Sequence, residues 1–413
     1  MSEHAYCRFC GARLLHTFVD LGMSPPCQTH VEAHQLNDME AFYPLHAWVC
    51  GGCFLVQLQE YVSPTDIFAG EYAYFSSYSD SWLRHAHVYT DLMVERFGIG
   101  RQSQVIELAS NDGYLLQYFV GKGIPVLGIE PAANVAEAAT AKGVRTLVRF
   151  FGEKLAGELV ADGVQADLLL GNNVLAHVPD LNDFVAGMKV LLKPRGVITM
   201  EFPHLLRLME ENQFDTIYHE HFSYFSFTTV ERVFAAQGLV LFDVEELSTH
   251  GGSIRIFARH TEDISKPVGL RVEALKQQEA RAGFGRLETY LSFGEQVKET
   301  KRKLLEFLIR IRRDGKSIAG YGAPGKGNTL LNYCGIRTDF LDYTVDRNPF
   351  KQGKFTPGTH IPIHPPDRIR ETRPDYLLLL PWNLKDEIME QVGYIREWGG
   401  RFVVPIPEVK VYP

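Results

Sequence analysis

From residue 104 onward, short apolar runs alternate with longer amphipathic stretches. Val105-Ile106-Glu107-Leu108, Val126-Leu127-Gly128-Ile129-Glu130, Asp167-Leu168-Leu169-Leu170-Gly171 and Val197-Ile198-Thr199-Met200-Glu201 read as buried strands, with helices over 133–142 and 181–192 between them. A helical period over 81–98 (Trp82, His85, Val88, Leu92, Phe97) precedes the series. Such alternation predicts a mostly parallel sheet covered on both faces. Two further runs, Val240–Val244 and Ser253–Phe257, flank His250-Gly251-Gly252 and predict an antiparallel hairpin closing that sheet. Residues 265–312 are rich in Glu, Lys, Arg, Leu and Ala at helical spacing and read as a long connector. A second alternating unit follows, with strands at Ser317–Gly322, Asp342–Asp346 and Asp375–Leu380. The first 65 or so residues are different: short β-like runs (Ala47–Val49, Phe54–Leu58) set among turn residues. The expected class is α/β, with a small β-rich domain over 1–70, a Rossmann-like domain over 71–262, a helical connector over 263–312 and a second Rossmann-like domain over 313–413.

Composition narrows the classes. The chain has 413 residues, 45% hydrophobic and 22% charged, values ordinary for a globular protein. No apolar run approaches the roughly 20 residues that span a bilayer, and the first residues, Met1-Ser2-Glu3-His4, lack the pattern of a secretory signal. A net charge of −8 without a basic run argues against nucleic acid as a partner. Four of the six cysteines form two C-x2-C pairs, Cys7/Cys10 and Cys50/Cys53. Each pair can make a knuckle, and two knuckles are expected to complete a closed tetrahedral zinc site that holds the fold and does no chemistry; two disulfides or a thioredoxin-like redox pair are the alternatives, which fit less well without a signal peptide or a thioredoxin-like βαβ context. Cys27 and Cys334 read as small buried side chains, and this use of cysteine suggests a reducing cytoplasm.

Three motifs carry chemistry. Glu107-Leu108-Ala109-Ser110-Asn111-Asp112-Gly113 closes the first strand of the central unit, and Glu130-Pro131 ends the next. Ligands of doubly wound folds sit at the carboxyl ends of the strands, where an acid such as Glu130 can accept both ribose hydroxyls. The turn lacks a full G-x-G-x-x-G, which favours S-adenosylmethionine (SAM) over a nicotinamide dinucleotide; Glu107, Asn111, Asp112, Gly113, Glu130, Pro131, Asn172 and Asn173 are then the cofactor residues. Next, Tyr218-His219-Glu220-His221 concentrates two imidazoles, a carboxylate and a phenol. The functional reading is general base catalysis; a surface loop or an H-x-H metal pair is the alternative. His177 follows the strand that ends at Gly171, as a residue of the same site or a packed one. Finally, Gly320-Tyr321-Gly322-Ala323-Pro324-Gly325-Lys326-Gly327-Asn328 does satisfy the glycine pattern, with Asp346 after the next strand. Tyr321, Gly322, Lys326, Asn328 and Asp346 are candidate substrate-binding residues if this turn cradles a pyrophosphate.

The order of parts resembles the SAM-dependent C-methyltransferases that act on nucleotide-linked 4-keto-6-deoxyhexoses. The likeness rests on the four cysteines, Glu107–Gly113, Tyr218–His221 with its aromatic tail, His250-Gly251-Gly252, and Gly320–Ala323 with Thr356-Pro357-Gly358. It implies methyl transfer from SAM to C3 of a sugar carrying dTDP or GDP, a structural zinc, His221 as the base at C3, and Tyr218, Glu220, His177 and Tyr72 as further active-site residues, Tyr72 touching substrate. His219 stands where that family has an acid, and Ala109-Ser110-Asn111 replaces a Gly-Cys-Asn type. An O- or N-methyltransferase acting on another small molecule is the competing reading.

Overall fold

A computed structural model describes residues 5–63 and 75–413, so Tyr72 lies outside the described residues. The chain divides into two compact units. Unit 1 comprises Met1–Leu14, Cys50–Leu205 and Phe222–Gly285; unit 2 comprises Leu15–Val49, Leu206–His221 and Arg286–Pro413.

Unit 1 is built on a seven-stranded sheet. Its strands are β1 (Val105–Leu108), β2 (Val126–Ile129), β3 (Thr146–Leu147), β4 (Ala166–Asn172), β5 (Leu192–Pro203), β6 (Leu239–Leu247) and β7 (Ser253–His260). The spatial order is β6-β7-β5-β4-β1-β2-β3. β1 to β5 pair in parallel, and β7 is antiparallel to both β5 and β6. All four residues of β1 are buried, as expected of a strand with a parallel neighbour on each side. Helix α1 (Asp80–Phe97) starts where the Ser79 hydroxyl accepts the Trp82 N–H, and stops at Gly98 in the left-handed conformation (φ 64°). Its buried face, Trp82, Ala86, Tyr89 and Met93, packs with Leu116, Phe119, Leu168 and Phe257 in one core. The predicted strands, helices and antiparallel hairpin are all present.

Unit 2 carries a six-stranded sheet made of β8 (Ile318–Tyr321), β9 (Thr344–Val345), β10 (Ile363–His364), β11 (Tyr376–Leu379), β12 (Arg401–Val404) and β13 (Lys410–Tyr412), in the order β10-β9-β8-β11-β12-β13. All pairings are parallel except β12 with β13. Helix α2 (Phe293–Arg313) buries Phe293, Val297, Leu304, Leu308 and Ile311 along one stripe, and helix α3 (Gly325–Cys334) follows β8.

The stretch read as a helical connector over 263–312 holds three helices, Leu270–Arg281, Leu287–Leu291 and α2. The break lies at Gly283, whose φ of 86° is outside the helical region, and the boundary between the units falls just after it. Two segments join unit 2 from a distance in sequence. In Leu15–Val49, Phe18 stacks on Phe293 with ring centroids 4.7 Å apart. In Leu206–His221, the Ile217 carbonyl accepts the Thr329 hydroxyl of α3 (3.1 Å). Among the described residues no helix is long and apolar enough to cross a membrane.

Candidate active site

The four predicted metal ligands come together in unit 1. The Sγ atoms of Cys7, Cys10, Cys50 and Cys53 all lie within 4.8 Å of one another, with Cys7–Cys53 and Cys10–Cys50 each at 3.5 Å. Zinc–sulfur bonds of about 2.3 Å in a tetrahedron set sulfur–sulfur edges of about 3.8 Å, so the set fits zinc. Gln57 Nε2 donates to Cys7 Sγ (3.2 Å), and Gln57 Oε1 accepts the Arg8 N–H (2.9 Å), an outer layer that orients the first knuckle.

At the carboxyl ends of β1 and β4 the backbone is bent into uncommon conformations. Ala109, Asn111 and Asn173 have φ of 53°, 48° and 54°. Such angles persist in non-glycine residues only where the surroundings hold them. Glu130 does so here: its carboxylate accepts Asn111 N–H (2.9 Å) and Ala132 N–H (2.9 Å), leaving each oxygen a further lone pair. Burial raises its pKa, and the two amides pull it back. Asn111 Oδ1 in turn accepts the Ser76 N–H (2.8 Å). Lys142 Nζ meets Asp112 Oδ2 at 2.9 Å. Glu107 is fully buried, and desolvation raises its pKa strongly, with the Tyr114 hydroxyl opposing. Gly113 (φ 73°) packs so closely that a Cβ would lie 3.0 Å from Val144 Cγ2 and 3.3 Å from the Ala139 backbone. Asn172 Nδ2 donates to the Tyr114 hydroxyl (3.2 Å). Pro131 follows Glu130, and the residues expected from sequence to hold the cofactor thus lie at one edge of one sheet. Glu130→Ala is expected to weaken SAM binding by about 10- to 100-fold, the worth of hydrogen bonds to a charged group, as read by calorimetric titration.

Sequence reasoning passed over a second cluster at the same edge. Glu201, fully buried on β5, accepts from His85 Nε2 (2.9 Å), Arg255 Nη2 (2.7 Å) and the Thr249 hydroxyl (2.9 Å). Burial works against its charge, but His85 and Arg255 outweigh that and hold its pKa down at about 2. Two charged residues inside strands that otherwise read as apolar, Glu201 and Arg255, were the available signal: each needs a partner of opposite charge when buried.

The Tyr218–His221 motif belongs to unit 2 and is a turn, neither strand nor helix. Its two histidines therefore do different things. His221 Nδ1 lies 2.9 Å from the Thr216 carbonyl, which only accepts, so Nδ1 carries hydrogen, and in the neutral ring the lone pair falls on Nε2. The ring lies 4.0 Å from that of Tyr218. His219 is buried, with Nε2 3.3 Å from the Pro44 carbonyl and its ring edge-on to Tyr43; desolvation lowers its pKa. It packs the turn onto the 43–49 strand. Glu220 is buried too, and loss of hydration pushes its carboxyl up to about 7 against the pull of the Cys27 thiol, 3.5 Å from Oε1, and of Lys351. In unit 1, His177 closes a short 3-10 turn, Leu175–His177, whose Ala176 carbonyl accepts the Phe222 N–H (2.7 Å).

The glycine-rich turn after β8 has its own internal partners. Ala323 N–H donates to Asp346 Oδ2 (2.8 Å). Gly322 has φ 86°, and a Cβ there would lie 2.6 Å from Pro381. A Cβ on Gly325 would lie 2.9 Å from Cys27 Sγ, so this glycine makes room for the thiol beside Glu220. Asn328 Nδ2 donates to the Cys27 carbonyl (2.7 Å). Lys326 Nζ donates to Asn383 Oδ1 (2.7 Å) and sits 4.6 Å over the Trp382 ring. Tyr321 is buried on β8 with its hydroxyl 3.4 Å from Gln391 Oε1.

Comparison with known proteins names this chemistry. A C-methyltransferase C-terminal domain matches residues 248–407, a methyltransferase domain 82–244 and a zinc binding domain 7–68. C-methyltransferase NovU of Streptomyces niveus is 36% identical over 405 residues, 98% of this chain and 96% of the relative. The chain belongs to the C-methyltransferase family. This C-methyltransferase takes its methyl group from SAM and holds zinc on Cys7, Cys10, Cys50 and Cys53. Among solved structures, magnesium protoporphyrin IX methyltransferase of Synechocystis overlays 43% of the C-methyltransferase chain and 78% of its own, with TM-score 0.33 at 13% identity. A SAM-dependent methyltransferase of Clostridium acetobutylicum covers 43% and 92%, with TM-score 0.36 at 10%. The family assignment does not rest on either overlay.

The C-methyltransferase also buries a carboxyl that pH should expose. Asp215 is fully buried and accepts Trp382 Nε1–H (2.7 Å); desolvation pushes it up to about 7, against the attraction of Lys326. Between about pH 4 and 7 this group is protonated in the folded state and ionised in the unfolded chain, so the folded state holds the extra proton and stability falls as pH rises. Asp215→Asn keeps an acceptor for Trp382 and cannot ionise. Its denaturation free energy is expected to exceed that of the wild type by about 2–4 kcal/mol more at pH 8 than at pH 4; parallel pH profiles would refute this.

Proposed function

We propose that this C-methyltransferase moves the methyl of SAM to C3 of a nucleotide-linked 4-keto-6-deoxyhexose, carried on dTDP or GDP, in the making of branched deoxysugars in the cytoplasm. A sugar carbon is not nucleophilic until a neighbouring ketone acidifies its C–H and a base removes the proton. The observation that supports this reading is at His221: its Nδ1–H is given to the Thr216 carbonyl, which fixes the neutral tautomer whose lone pair is on Nε2. Nε2 takes the C3 proton, leaving an enolate whose charge rests on the C4 oxygen. That oxygen needs donors, each typically worth about 100- to 1,000-fold in rate; His177, Tyr218 and Asn173 are the candidates. Glu220, with Tyr72, completes the acid–base set. When bound, SAM supplies an electrophilic methyl, which the enolate carbon accepts in line. For the sugar's nucleotide, Tyr321, Gly322, Lys326, Asn328 and Asp346 are the residues of choice. A C-methyltransferase relative over almost the full length supports carbon over oxygen or nitrogen as the acceptor atom.

The test omits SAM. In deuterated water the protein is expected to exchange one C–H of a dTDP- or GDP-linked 4-keto-6-deoxyhexose for C–D, seen as one mass unit. An O- or N-methyltransferase would leave that C–H untouched, and no exchange with either sugar would overturn the proposal.

A further inference from the structure

The His250-Gly251-Gly252 turn has no part in the chemistry above, yet it is firmly held. β6 runs parallel to β5, because both are antiparallel to β7. The turn between β6 and β7 therefore opens at the carboxyl ends of the parallel strands, the edge at which such sheets take their ligands. The register agrees: Leu247 faces Ser253, Ser253 faces Pro203, and Glu201 faces Asn172 on β4. The Glu201 carbonyl accepts the Asn173 N–H (2.7 Å), and its side chain accepts the Thr249 hydroxyl (2.9 Å). One buried residue thus ties the turn, through its carboxylate, to Asn173, through its backbone carbonyl. His250 has φ 55° and ψ 20°, an uncommon conformation for a residue with a side chain. Its ring lies edge-on to Trp82 at 5.0 Å; Trp82 is stacked in turn on Tyr114 (5.9 Å), which takes the hydrogen bond from Asn172.

We propose that Glu201, through Thr249, holds His250 at the edge of the sheet where the methyl acceptor binds, so that the imidazole contacts an oxygen of that acceptor. An N–H aimed at the ketone oxygen, or at a hydroxyl beside the reacting carbon, gains strength as charge builds there. The half of the sheet beyond β4 carries the turn, and the half from β1 to β3 carries the acid for the ribose, so acceptor and cofactor approach from opposite halves. His250 is an acceptor-contacting residue in this scheme, and Thr249 and Glu201 are positioning residues. The inference rests on the acceptor class proposed above.

The test uses the full-length zinc-loaded protein, SAM, and a dTDP- or GDP-linked 4-keto-6-deoxyhexose as probe. His250→Asn is expected to lower kcat/KM for the sugar about 100-fold while SAM affinity, by calorimetry, stays within about threefold. Thr249→Val should lower the same constant, and Thr249→Ser should restore it, since only the hydroxyl reaches Glu201. Wild-type kcat/KM in His250→Asn, or an equal loss of SAM affinity, overturns the contact. Equal constants in Thr249→Val and Thr249→Ser overturn the positioning. A wild-type protein inert on both sugars removes the proposed function, and this inference with it.

Discussion

His221→Asn is expected to abolish both methyl transfer and the SAM-free exchange of the sugar C–H, each by about 100- to 10,000-fold, the usual worth of a positioned general base. Asparagine keeps a donor for the Thr216 carbonyl, 2.9 Å from Nδ1 in the native protein, so the turn should stand. What it lacks is the basic nitrogen. SAM affinity should be unchanged, because His221 is not among the residues expected to hold SAM. The two readouts together separate proton removal from methyl transfer: a lost base stops both, whereas a disturbed cofactor stops only the second. His219→Asn is the matched control. His219 packs against Tyr43 and Pro44, so its loss should lower thermal stability and spare the exchange. Near-normal exchange in His221→Asn would take the base away from this residue.

The strands and helices of both units were legible because their period is local: a run as short as Val105–Leu108, set between amphipathic helical stretches, reads as a strand buried on both faces, and it is one. The four cysteines were legible for a similar reason, since two knuckles have few other uses. What could not be read was the company each segment keeps. Leu15–Val49 lies between the cysteine pairs, and Leu206–His221 lies inside what reads as the cofactor domain, yet both fold with unit 2. No short-range pattern reports that Phe18 will stack on Phe293 or that Asp215 will meet Trp382. The glycine pattern after β8 carries two signals at once. Its spacing suits a phosphate cradle, and a positive φ at Gly322 and the approach of Cys27 to Gly325 give two of its positions a further, purely local need for glycine. The Glu201 cluster was within reach, since a glutamate and an arginine buried in neighbouring apolar strands demand each other.

Loss of zinc should reach beyond its own knuckles. An apparent binding free energy of about 10–16 kcal/mol is typical of small structural zinc sites, and without the ion four clustered thiols have little to hold them. The first knuckle is fastened to the rest of unit 1 through Arg8, which donates to the Pro179 carbonyl (2.8 Å) and to the Leu58 carbonyl, and through Phe9, whose carbonyl accepts Asn182 Nδ2 (2.9 Å). Burial lowers the Arg8 guanidinium to about 10, so it stays charged at neutral pH and its carbonyl partners matter. Pro179 and Asn182 continue the segment that begins with the turn of His177. Cys50→Ser, or prolonged chelation, is therefore expected to lower Tm by about 5–15 °C, as a loss of a few kcal/mol does in a domain of this size, and to reduce methyl transfer without any zinc chemistry being lost. Arg8→Ala separates the two effects. It should keep zinc by elemental analysis, yet reproduce part of the fall in turnover, because the link between knuckle and His177 segment is cut while the ligands remain. If zinc-free protein keeps the wild-type Tm and full turnover, the knuckles stabilise only themselves, and Arg8 transmits nothing to the segment that carries His177.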